Sequence, residues 1–237
     1  MKMWKMLGCL LLLCAIICGC AALATEAKTE EPGTANNAES EEGDATQNQG
    51  TGEGTGDPTI SGSVVVTPTY SEGLRFRSNG DGTCALAGIG TCTSSCILIP
   101  PKSPAGDTVT EILPYALKDS IIGAVEIPET VKTLSAASFS GCARLCYVRV
   151  AAGSEWYSEY DGVLYSADEK TLIYCPAGRT AGELELRASL ERIAAGAFAE
   201  CQKLETVVFA GSTAAWHNVI VGDENEGLYT AGFRFSS

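Results

Sequence analysis

Between Ala195 and Phe209 the chain reads AGAFAECQKLETVVF. Its apolar positions are Ala197, Phe198, Cys201, Leu204, Val207 and Phe209, which open with a spacing near three and close with a spacing of two. A helix repeats near 3.6 residues and a strand at 2.0, so the pattern predicts a turn of helix or loop that runs into a short strand. The pattern recurs. IPETVKTLSAASFSGCARLCYVRV (127–150) aligns with LRASLERIAAGAFAECQKLETVVF (186–209), and each advances 23 residues from one strand end to the next. Val131 matches Leu190, Leu134 matches Ile193, Phe139 matches Phe198, Cys142 matches Cys201 and Leu145 matches Leu204. Val148 and Val150 match Val207 and Phe209, and a more worn copy precedes both at Val109, Ile112, Leu117, Ile122, Val125 and Ile127.

One such unit cannot close a core, so the units must stack. Phenylalanine and cysteine point inward from the turn, and the alternating valines point inward from the strand. The residues between those valines then form an outward row: Ala124 and Glu126, Tyr147 and Arg149, Glu183 and Glu185, Thr206 and Val208. Two further segments read as hairpins. GVLYS and TLIYC flank the turn ADEK within 160–178, and LRFRSNGDGTCALAG turns at Asn79-Gly80-Asp81-Gly82.

The unit IPETVKTLSAASFSGCARLCYVRV resembles the BspA-like leucine-rich repeat, and the resemblance covers about residues 73–237. It implies an α/β repeat solenoid: an N-terminal β cap over 61–99 and a repeat domain over 100–237. Within that domain it implies a hairpin insert at about 151–183 and a C-terminal cap at about 210–237 around Trp216. The family is associated with attachment to host proteins, other cells or matrix.

Residues 1–19 carry Lys2 and Lys5 and then the apolar run LGCLLLLCAIICG, which has the form of a secretory leader. It ends in ICGC, which resembles the lipobox of bacterial lipoproteins and implies cleavage and acylation at Cys20; an ordinary signal peptide cut near CAALA is the alternative. Residues 20–60 lack aromatics and carry nine acids against Lys28, the composition of a solvated tether. Of the net charge of −13, the tether holds −8 and the leader's two lysines supply +2, which leaves −7 on residues 61–237. That balance argues against nucleic acid as a partner.

Four of the eleven cysteines, Cys9, Cys14, Cys18 and Cys20, fall in the leader and lipobox. Cys142 and Cys201 are expected as inward thiols. Cys84, Cys92 and Cys96 leave open one disulfide, whereas their irregular spacing and the lack of a nearby histidine argue against a zinc site. Cys146 and Cys175 are expected to be exposed. The single histidine, His217, is the one base available to a Ser-His or Cys-His pair, and no phosphate or dinucleotide motif is present. The sequence therefore predicts no enzyme, no cofactor and no metal. It predicts an exported, lipid-anchored binding module whose partner is a host or bacterial surface protein, or a polysaccharide. The candidate contact residues are Tyr147, Arg149, Glu126, Glu185 and Thr206. Trp156, Tyr157 and Tyr160 form an alternative platform for a glycan.

Overall fold

The computed structural model describes residues 69–179 and 182–236; the leader, Cys20 and the tether lie outside the described residues. Strands β1 (Arg75–Ser78) and β2 (Thr83–Gly88) form the antiparallel hairpin expected at the Asn-Gly-Asp-Gly turn. Gly80 and Gly82 both take positive φ, at 83° and 81°, where a side chain would strain the turn. Asp81 fixes that turn: its Oδ1 accepts from the Thr83 N–H at 2.9 Å and the Thr83 hydroxyl at 2.6 Å, and these bonds hold its carboxyl below the usual value.

From here the chain coils. β3 (Cys96–Leu98), β5 (Ala124–Ile127) and β6 (Tyr147–Val150) form one parallel sheet. β4 (Thr108–Ile112) pairs in parallel with β2 on the sheet of the N-terminal hairpin, and the bridge from Glu111 to Thr133 carries that sheet one coil further. The repeat turn contains little helix. In the 127–150 unit it is a four-residue 3-10 helix, Ala136–Phe139, capped by Ser135.

Next comes the insert: β7 (Tyr157–Tyr160), β8 (Val163–Ser166) and β9 (Thr171–Tyr174), each antiparallel to the one before. Coiling then resumes. β10 (Glu183–Leu186), β12 (Thr206–Phe209) and β14 (Gly232–Phe235) make a second three-stranded parallel sheet. β11 (Arg192–Ile193) and β13 (Ile220–Val221) extend the sheet of the insert in parallel from β9. Two short helices, α1 (Thr213–Trp216) and α2 (Glu226–Thr230), close the C-terminal end. The result is a solenoid of stacked strands.

The inward positions are those the repeat predicts, except that Leu134 and Val150 are only partly covered. Phe139, Phe198, Cys142, Leu145, Val148, Val207 and Phe209 are buried, as are Val109, Ile112, Leu117, Ile122, Val125 and Ile127 of the worn copy. Two cores result, and the insert lies between them. Leu164 of β8 packs into the first core, and its neighbours Val163 and Tyr165 pack into the second. β8 is buried on both faces, which is why VLY reads as a continuous apolar run without alternation. Tyr174 fills the space beside Phe139, with ring centroids 4.6 Å apart.

Cys84, Cys92, Cys142, Cys146, Cys175 and Cys201 are free thiols. Cys175 is buried and not exposed as expected, because it lies where the insert rejoins the stack. Cys146 is partly covered, with its thiol donating to the Gly178 carbonyl at 2.9 Å.

Candidate functional site

On the first sheet the row is in register as the alternation requires, Ala124 with Tyr147 and Glu126 with Arg149, but Ala124 is buried and not outward as expected. The Arg149 guanidinium lies 3.4 Å from the Glu126 carboxylate, with both side chains about one-third exposed. The sheet of β10, β12 and β14 sets Thr206 between Glu183 and Gly232, and Val208, which is buried and not outward as expected, between Glu185 and Arg234. Thr206 is therefore central to its row. Arg234 forms an ion pair with Glu183.

Glu185 does not flank Arg149. β10 pairs with β12 and not with β6, so the sheets are separate, and the insert takes the place beside β6. The Val148 N–H donates to the Gly162 carbonyl at 3.0 Å, which brings the turn between β7 and β8 onto the edge of the first sheet. Arg179 secures that turn through Asp161, donating to its carboxylate at 2.7 Å and also to its main-chain carbonyl at 2.5 Å.

The turn also gives Tyr147 a wall. The ring of Tyr147 lies against Gly162, and Glu159 of β7 faces its hydroxyl. Burial, then the Glu159 carboxylate, pushes the Tyr147 phenol well above its usual value, so it is a neutral hydrogen-bonding group at any physiological pH. Burial likewise raises Glu159, against the lowering influence of Tyr147 and Arg149. One of its oxygens, Oε2, is buried without a hydrogen bond. Glu126, Arg149, Tyr147 and Glu159 thus form a polar corner where a flat sheet meets the side of the insert. Sequence reading missed Glu159 and Asp161, because no repeat copy holds an equivalent.

The aromatic platform does not form. Trp156 is exposed, with Lys132 over its ring. Tyr157 is buried: its hydroxyl donates to the Lys132 carbonyl at 3.1 Å and accepts from the Leu134 N–H at 3.0 Å. Tyr160 packs at the second core with the Arg187 guanidinium 4.2 Å from its ring centroid. The strand period turns Tyr157 inward because successive side chains alternate faces. His217 is exposed at the C-cap of α1, where its N–H donates to the Thr213 carbonyl. Among the described residues its imidazole joins no hydrogen bond or ion pair.

The C-terminal cap rests on a residue the sequence did not single out. Asn225 is buried within GDENEG. Its Oδ1 accepts from the Phe198 N–H at 2.9 Å, and its Nδ2 donates to the carbonyls of Ala194 at 3.0 Å and Gly222 at 2.8 Å. Among the described residues no helix is long and apolar enough to cross a membrane.

Residues 100–160 and 174–219 match the BspA type leucine-rich repeat region, in six copies. These two segments are BspA type leucine-rich repeats. The matched segments leave out the insert's β8 and its turns, so BspA type coils lie on either side of it. No curated protein matches the chain. Among solved structures, a leucine-rich repeat protein from Eubacterium ventriosum is 16% identical, with a TM-score of 0.42 over 57% of this chain and 41% of that one. A leucine rich cell surface protein from Faecalibacterium prausnitzii is 20% identical, with a TM-score of 0.38 over 60% of this chain and 41% of that one. The pneumococcal vaccine antigen PcpA is 22% identical, with a TM-score of 0.33 over 43% of this chain and 28% of that one. The chain covers less than half the length of each of these three proteins.

Proposed function

We propose that the domain is a protein-binding module that works through the corner between the first parallel sheet and the insert, with Tyr147 and Arg149 as its anchors. The carrying observation is that both side chains are held before any partner arrives, Tyr147 against Gly162 and Arg149 against Glu126. Preorganised groups lose little freedom on binding, and tyrosine and arginine are the side chains that most often dominate interfaces. Glu126 orients Arg149. Thr206 and Glu185 belong to the separate second sheet and offer a secondary contact row. A row of strand side chains gives a broad surface suited to a protein or a polymer rather than to a small metabolite.

In the same reading the leader directs export, Cys20 carries the lipid, and the acidic tether holds the domain away from the membrane at the bacterial surface. The partner is a host or bacterial surface protein. The test is capture on immobilised residues 61–237 in parallel with a Tyr147→Ala, Arg149→Ala variant. A surface protein retained by the first and lost from the second supports the reading, and equal retention refutes it.

A further inference from the structure

The repeat places small polar side chains in one inward column, and neighbouring coils bring them into contact. In the first core the Ser120 hydroxyl and the Cys142 thiol are 3.4 Å apart, so that step of the column pairs a hydroxyl with a thiol. In the second core Cys175 stands where the first core has Leu117, so Cys201, the counterpart of Cys142, meets a second cysteine there. The Cys201 thiol donates to the Cys175 carbonyl at 3.2 Å, and the Cys175 N–H donates to the Ala197 carbonyl at 2.9 Å, so the two cysteines sit on adjacent coils. Cys175 follows β9 and Cys201 precedes β12, and their side chains are in contact. Both cysteines line one small opening whose rim carries Arg179 and Lys203.

We propose that Cys175 and Cys201 are a dithiol that closes to an intramolecular disulfide on reaction with a disulfide-bearing oxidant. Closure forms one sulfur–sulfur bond and breaks two S–H bonds. The oxidant's S–S bond breaks, and its two sulfurs take up the two electrons and the two protons and leave as two thiols. The first attack needs a thiolate, which the rim cations favour. The contact with Cys201, then burial, holds the Cys175 thiol well above its usual value, so closure is slow at neutral pH and faster in mild alkali. The bond would tie the end of β9 to the turn before β12, at the junction where the insert meets the last coils.

The test treats the full chain with oxidised glutathione, blocks residual thiols under denaturing conditions, and maps the peptides without reduction. The expected result is a linked pair of peptides that contain Cys175 and Cys201, with the mass lowered by two hydrogen atoms. The melting temperature should rise by roughly 5–10 °C, because the bond closes a loop of 26 residues. Reductant should reverse the rise. Cys201→Ser should fold and show neither the link nor the rise. Two blocked, unlinked thiols at Cys175 and Cys201 would overturn the proposal, and so would linkage of either to any other cysteine alone.

Discussion

Gly162 lies directly against the ring of Tyr147: a Cβ built on the glycine falls 2.6 Å from Tyr147 Cδ2. The glycine also has φ at 75°, so two independent constraints exclude a side chain there. Gly162→Ala should therefore cost about 1–3 kcal/mol in a denaturant melt, through strain at positive φ and the clash together. It should also free Tyr147 and weaken partner binding. A neutral substitution would mean that the turn is not seated on Tyr147.

Phe198 and Phe139 occupy one inward position in successive full repeats, and both are buried. Phe198→Ala should cost roughly 3–5 kcal/mol through lost burial and the cavity left behind. Equilibrium unfolding measures this. A loss under about 1 kcal/mol would contradict the packing of the second core.

Asn225→Ala should cost about 2–3 kcal/mol, since it leaves the Phe198 N–H and several carbonyls without their buried partner. The loss should show as early opening of the C-terminal cap in amide exchange, before the first core opens.

Glu159 gives a pH signature. Its folded-state pKa is raised above 4.5, chiefly by burial, so its ionised form opposes folding. Stability from this group is fully present below the unfolded value and is lost as pH rises through the folded value. Glu159→Gln should remove that loss. Its melting temperature should exceed the wild type's at neutral pH, and the gap should close as pH falls toward 4.5. A gap independent of pH would show that Glu159 is not buried beside Tyr147.

Much of this was legible in the sequence because the repeat supplies its own comparison. Matching Phe139 to Phe198 fixes the inward column, and Val148 to Val207 fixes strand register, so the pairing of Glu126 with Arg149 followed from alternation alone. Glu185 was misplaced because the repeat carries no information about what an insert does to the stack. VLY in β8 has an apolar run that serves two cores, and nothing in its composition tells that from one buried face. Tyr157 stayed open to an alternative reading as a surface aromatic because only the structure supplies the Lys132 carbonyl and Leu134 N–H that satisfy its hydroxyl inside. Asn225 was hidden for a similar reason: its partners are backbone groups up to 31 residues away.

The central claim is that a partner is recognised at the corner of Tyr147 and Arg149, and titration of the captured partner against wild type and the Tyr147→Ala, Arg149→Ala variant tests it most directly. The account predicts a variant that melts as a folded domain and binds at least about 2 kcal/mol more weakly, roughly 30-fold in Kd. Wild-type affinity in a folded double variant would contradict it.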